Sequence, residues 1–224
     1  MADEPRIPLD FTRLSPEEMV ERSRALRDEF ARRRSVRDFD PTPVPREVLE
    51  NAILAAGSAP SGANLQPWHF VVVTDPEIKH EIRELAQETE RSFYDKRITD
   101  EWRGALEPLG VDTTKPFLTG APALIVVFRR NFVADESGKL HKTYYPMEST
   151  GLATGMLIAA LHMAGLATLP YTPSPMAFLR DVLERPETDY PFLVLAAGYP
   201  TADATVPAIT REPLESIATF VDGD

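Results

Sequence analysis

"APSGANLQPWHFVVV", residues 59–73, passes from a loop of small, turn-forming residues into an apolar, β-branched and aromatic run. A run of that length bounded by turn residues reads as a β-strand, predicted here over 68–75 and as a buried one. On its N-terminal side, "PREVLENAILAAG" (45–57) puts Val48, Leu49, Ala52, Ile53 and Ala56 on one helical face and stops at Gly57. On its C-terminal side, "PEIKHEIRELAQETERSFYDKR" starts at Pro76 and reads as a long polar helix. Helix, strand and helix in succession make the chain α+β or α/β, and the rest of the sequence decides between them.

Two more buried strands are predicted, "APALIVVFRR" (121–130) and "PFLVLAAGYP" (191–200). Residues 131–142 read as a hairpin or loop turning near Ser137–Gly138. "ESTGLATGMLIAALHMAGLATL" (148–169) is apolar almost all round and is expected to be the central buried helix. "SPMAFLRDVLE" is a short capped helix. Upstream of all these, Ser15 caps a helix with Pro16 at its first position and Glu17–Glu18 in its first turn. Residues 1–14 form an N-terminal extension, and 104–121 read as a mobile connection. The tail after Pro200 is expected to pack on a partner subunit. The chain is therefore read as one α+β domain spanning 1–224, a mixed central sheet surrounded by helices.

The totals exclude several classes of function. The 224 residues are 43% hydrophobic and 26% charged, as in an ordinary globular protein. A formal net charge of −11 disfavours nucleic acid and anionic lipid as partners. There is no cysteine, so disulfides, thiol nucleophiles and thiolate metal sites are absent. No apolar run is long enough to cross a bilayer, and the first residues lack the order of a signal peptide; a soluble, cytoplasmic protein is expected. Phosphate-loop, dinucleotide-fingerprint and nucleophile-elbow motifs are missing. His69, His80, His141 and His162 are scattered without ligand spacing, so no metal is expected. What remains is pure binding, or chemistry carried by a borrowed cofactor.

Against this acidic background, "ARRRSVRDFD" (31–40) concentrates four arginines in six positions. A helix end favours basic residues through its macrodipole, and an anionic ligand also explains them. Taken with "APSGANLQPWHFVVV" and "AAGYP" near the end, the segment resembles the FMN-dependent nitroreductase superfamily. More closely, the chain is similar to its iodotyrosine deiodinase branch, from about Arg32 to Leu214 and including "ATVPAITREPL".

The resemblance implies FMN as cofactor and a homodimer whose C-terminal arm, about 200–224, is exchanged between subunits. It assigns Arg33, Arg34, Ser35, Val36 and Arg37, joined by Arg211, to the flavin phosphate and ribityl chain. Pro60, Ser61 and Gly62, with Pro170, Tyr171 and Thr172, lie beside the ring. Thr172 has the catalytic role, its hydroxyl near flavin N5 favouring one-electron chemistry. Glu90, Tyr94 and Lys115 grip an amino-acid zwitterion within a lid in about 76–118, and the Ala63 backbone N–H receives the substrate phenolate. Glu90 and Tyr94 are four apart and so share a helical face. The implied reaction is reductive dehalogenation of 3-iodotyrosine, 3,5-diiodotyrosine and their bromo and chloro analogues. Electrons come from NAD(P)H, directly or through a flavin- or ferredoxin-type reductase. Two other readings stay open: a general NAD(P)H-dependent nitroreductase or quinone reductase, and a flavin- or halotyrosine-binding sensor. Pro170–Tyr171 departs from the threonine-rich version of the animal enzymes, and the membrane anchor of those enzymes has no counterpart here.

Overall fold

Alternating burial along two strands sets the architecture. In β2 (Ala123–Arg130), Leu124, Val126 and Phe128 turn to one side of the sheet and Ala123, Ile125 and Val127 to the other, all buried. In β6 (Asp189–Gly198), Val194 and Ala196 join the first side, and Leu193, Leu195 and Ala197 the second. The period-2 geometry of a strand thus feeds two cores from each element, and helices must cover both faces.

The computed structural model describes residues 6–96 and 114–221, the side chains of 92–96 excepted. Its main sheet has the order β1-β2-β6-β5, with β1 at Trp68–Val73 and β5 at Ala167–Tyr171. All three pairings are antiparallel. The α+β architecture is the expected one; the parallel component is an isolated bridge between Ser35 and Thr168. One face is covered by α3 (Pro76–Lys96) through Ile82 and Ala86, and by the short α4 (Phe117–Gly120) through Phe117 and Leu118. The other is covered by α2 (Arg46–Gly57) through Leu49, Ala52 and Ala56, and by α5 (Pro146–Met163) through Leu157 and Leu161. A separate hairpin joins β3 (Phe132–Ala134) to β4 (Leu140–Lys142), as the turn at Ser137–Gly138 predicts. Two further short helices among the described residues are α6 (Phe178–Val182) and a single turn, α7 (Leu214–Ile217).

Residues up to Arg33 make up a separate unit, dominated by α1 (Pro16–Ala31). Ser15 and Glu18 form a capping box at its start, and the helix has no buried residue.

Three expectations are corrected. The strand at 68–75 ends at Val73 and is only half-buried, because β1 is the edge of the sheet and the Asp75 carboxylate accepts the Glu77 N–H at 2.8 Å to start α3. The helix at 148–169 ends at Met163: Gly165 takes a left-handed φ of 82°, and β5 begins two residues later. That helix is also buried on one side only, leaving Met147, Leu152, Met156 and Met163 exposed. Finally, residues 114–121 are not a loose connection, since Lys115, Phe117, Leu118 and Ala121 are buried. Residues 104–113 lie outside the described ones.

Candidate active site

The inner side of α3 carries a polar row in addition to its apolar one. Lys79, Arg83, Gln87 and Glu90 recur at intervals of four, four and three, which stacks them along one side of a helix. Each reaches the segment that follows in space, 114–121. Lys79 Nζ donates to the carbonyls of Ala121 at 2.8 Å and Thr119 at 3.4 Å. Burial pushes its ammonium below the ordinary lysine value. Arg83 donates through Nε to the Thr114 carbonyl at 3.0 Å and through Nη1 to the Thr119 hydroxyl at 3.1 Å. The Gln87 amide also donates to the Thr114 carbonyl.

This row anchors Lys115 with a backbone φ of 42°, in the left-handed region. For a residue with a Cβ that costs about 1–2 kcal/mol, and it persists only where the surroundings over-determine it. The result places Lys115 Nζ 2.7 Å from Glu90 Oε2. Both residues are deeply buried, Glu90 at 9% exposure and Lys115 at 3%. The Tyr171 hydroxyl donates to the other oxygen, Oε1, at 2.7 Å. The Lys115 ammonium also lies 5.8 Å from the centre of the Tyr171 ring, whose edge-to-face partner is Phe117. Oε2 meets the ammonium as an ion pair but has no well-directed hydrogen-bond donor among the described residues. A buried carboxylate oxygen is matched to an N⁺–H group, and Lys115 supplies it in this structure.

Glu90 and Lys115, both expected in the zwitterion grip, meet each other as an ion pair in this structure. The side chain of Tyr94 lies outside the described residues, as does most of the expected lid beyond α3. Tyr171 was expected beside a flavin; its side chain is committed to Glu90. Strand alternation accounts for this. Leu169 and Tyr171 face the core that holds α3, while Pro170 and Thr172 are exposed.

The arginine segment reaches the same strand. The Val36 N–H donates to the Thr168 carbonyl at 3.1 Å, and Ser35 bridges Thr168. β5 therefore carries the arginine segment at Thr168 and the acid–ammonium pair at Tyr171, about 10 Å apart at ~3.3 Å per residue. Arg34 and Arg37 are half-buried, and neither forms an ion pair with a carboxylate among the described residues. Arg34 donates to the Pro207 carbonyl, which fixes it without neutralising it. Two such positive side chains in a chain of net charge −11 fit an anionic group such as a flavin phosphate. Arg33 closes the other unit, and Arg211 lies exposed ahead of α7.

The loop at 60–66 is held by its own bonds. Ser61 accepts the Asn64 N–H on its carbonyl at 3.1 Å and the Gln66 N–H on its hydroxyl at 3.0 Å. Ala63, Asn64 and Gln66 all take left-handed φ values, between 47° and 53°. Pro60 is exposed. Gly62 was expected to be a glycine so that a ring could approach. The structure gives an internal reason: a Cβ there meets the Tyr144 carbonyl oxygen at 2.8 Å and the Tyr144 Cβ at 2.9 Å.

Sequence reasoning missed Lys79, Arg83, Gln87 and the hydroxyl of Tyr171. The recurring polar spacing along α3 was a usable signal for the first three. Among the described residues no cluster of potential metal ligands occurs, and no helix is long and apolar enough to cross a membrane.

Comparison with known proteins gives this site a context. The nitroreductase family matches residues 30–199. An iodotyrosine deiodinase from Haliscomenobacter hydrossis is 47% identical over 206 residues, covering 92% of this chain and 93% of that protein. Iodotyrosine deiodinase 1 of Mus musculus is 43% identical over 218 residues, covering 96% of this chain and 76% of the mouse protein. Among solved structures, oxidised iodotyrosine deiodinase bound to FMN and 3-iodo-L-tyrosine superposes with a TM-score of 0.75 at 31% identity. The match covers 87% of this chain and 100% of that one.

Proposed function

The chain belongs to the nitroreductase family, and we propose that it is an FMN-dependent enzyme that reductively removes halide from halotyrosines. The observation that carries this reading is the buried Glu90–Lys115 pair, in a chain whose relatives are iodotyrosine deiodinases. An isolated charge entering such a site would leave one of the pair unpartnered, at a cost of several kcal/mol. A zwitterion brings both signs. Its ammonium replaces Lys115 at Glu90 and its carboxylate replaces Glu90 at Lys115, with Tyr94 as a further donor, so every buried charge keeps a partner.

The other residues take supporting roles in this proposal. Arg34, Ser35, Val36 and Arg37, with Arg33 one residue upstream and Arg211 from the tail, hold the FMN phosphate and ribityl chain. The backbone of Pro60, Ser61, Gly62, Pro170 and Tyr171 borders the ring, and Thr172 is the residue whose hydroxyl tunes it. The Ala63 N–H receives the ionised phenol of the substrate, favouring halophenols because the halogen makes them more acidic. When bound, FMN supplies the two electrons that, with one proton, exchange carbon–halogen for carbon–hydrogen and release halide. NAD(P)H, directly or through a flavin- or ferredoxin-type reductase, restores them. Removal of water around the grip strengthens its ionic contacts.

A homodimer with exchanged C-terminal arms is part of the same proposal. Its support is apolar surface left open in a single chain: Met147, Leu152, Met156 and Met163 along α5, and Leu214, Ile217, Phe220 and Val221 in the tail. A cytoplasmic location also remains part of the proposal.

The test is anaerobic. Reduced, FMN-loaded protein mixed with 3,5-diiodotyrosine is expected to become oxidised and to release iodide. Failure of both discards the reading. Rapid turnover of nitroaromatics with NADPH, and no flavin perturbation by halotyrosine, identifies a general nitroreductase instead. A protein purified without flavin colour counts against both.

A further inference from the structure

Tyr171 is not one of the residues that the grip strictly needs, yet its phenol donates a hydrogen bond to the Glu90 carboxylate. Taking the halotyrosine reading as its basis, we infer that Tyr171 is a positioning residue that sets the specificity of the site for the substrate's ammonium group.

The two oxygens of Glu90 are not equivalent. Oε1 accepts the Tyr171 phenol at 2.7 Å, an ordinary O–H···O hydrogen-bond distance. Oε2 has no well-directed donor among the described residues and meets the Lys115 ammonium at 2.7 Å. The phenol removes the carboxylate's freedom to rotate, so that Oε2, the oxygen that meets an ammonium, is held in one place. Carboxylate rotation is otherwise a loss that the ligand has to offset on binding.

The phenol is itself well supported. Tyr171 ends β5, where strand alternation turns its ring toward α3, and Phe117 packs edge-to-face against it with ring centres 5.4 Å apart. Phe117 belongs to the same buried segment as Lys115, so one stretch of chain fixes both the ammonium and the ring that braces the carboxylate. The neighbouring Thr172, just past the end of the strand, is exposed instead. On the proposed reading, two consecutive residues thus serve the amino-acid end of the substrate and the flavin.

A purely structural tyrosine and a positioning tyrosine differ in what they do to ligands. Tyr171→Phe keeps the ring and its packing and deletes only the hydroxyl. Retained FMN content and melting temperature establish that the variant is folded. Two ligands are then titrated against the flavin absorbance of the FMN-loaded protein: 3-iodotyrosine, and the analogue lacking only its amino group. The variant is expected to lose about tenfold in affinity for iodotyrosine, the size of one charge-assisted hydrogen bond acting on the site. Affinity for the deaminated analogue stays within about twofold, since the lost bond serves only the ammonium acceptor. In turnover, KM for iodotyrosine rises while kcat at saturation is kept. In a Glu90→Gln background the same substitution produces little further loss, because the group that Tyr171 orients no longer carries the charge that attracts the ammonium.

Equal loss for both ligands, no loss for either, or a full additional loss in the Glu90→Gln background overturns the inference while leaving the halotyrosine reading intact. Wild-type protein that binds neither ligand, or binds both equally, removes that reading and this inference with it.

Discussion

Replacing Glu90 by glutamine separates the two jobs of the buried pair. The amide has nearly the same shape and still accepts the Tyr171 hydroxyl, but the negative charge beside Lys115 is gone. Lys115 is 3% exposed and cannot turn to water without moving the segment that Lys79, Arg83 and Gln87 fasten down. Removing one partner of a buried pair costs about 3–5 kcal/mol, and the lower end applies where a polar group remains. For a chain of this length each kcal/mol lowers the melting temperature by roughly 2–4 °C, so Glu90→Gln should melt about 6–12 °C below wild type. The double variant Glu90→Gln/Lys115→Met removes both charges and should recover most of that loss. Ligand binding behaves differently. The ammonium acceptor is weakened in both variants, and losing a charged hydrogen bond of about 1.5–3 kcal/mol lowers iodotyrosine affinity roughly ten- to hundredfold. Scanning calorimetry and flavin-absorbance titration of the FMN-loaded proteins read the two effects. If Glu90→Gln melts with wild type and the double variant gains nothing over it, the pair is not buried in the folded protein, and the zwitterion-exchange argument fails.

Two further predictions concern the loop and the edge strand. Gly62→Ala drives a methyl group into the Tyr144 backbone and should cost about 1–3 kcal/mol of stability, as over-packing does. Gly57→Ala, whose methyl group meets nothing within 4 Å, is the control; equal melting temperatures for the two variants remove the close-approach argument. His69 on β1 is half-buried, and burial followed by the positive charges of Arg130 and Arg185 lowers its pKa from the usual 6.5. The folded state then prefers neutral imidazole, so between the two pKa values the unfolded chain binds more protons. This contribution is full above pH 6.5 and is lost as the pH falls through that value toward the lower folded one. His69→Gln should flatten that part of the stability–pH curve in chemical denaturation; an unaltered slope between neutral and mildly acid pH contradicts it.

The positions of β2 and β6 were legible because both are buried on both faces, and short, β-branched apolar runs bounded by turn residues favour buried strands over helices; β5 was read as the end of the preceding helix. The end of β1 and the end of α5 were not, for a shared reason. Asp75 and Gly165 act through one hydrogen bond and one backbone angle, signals that a hydrophobic pattern does not carry. The segment 114–121 misled more seriously: its threonines, proline and glycine look like those of a loop. Its burial comes from Lys79, Arg83 and Gln87, almost thirty or more residues earlier, donating to its backbone.

Residue types and their order established the family, the excess of arginine near residue 34 and the opposite charges of Glu90 and Lys115. These follow from the chain itself, since motif order and charge do not depend on what packs where. Tertiary structure alone decided that the two charges are buried against each other, that Tyr171 turns its hydroxyl to one of them, and that Gly62 answers to Tyr144. Each of those facts is a meeting of residues distant in the sequence. No local periodicity encodes such a meeting; it exists only once the sheet has brought β5 beneath α3.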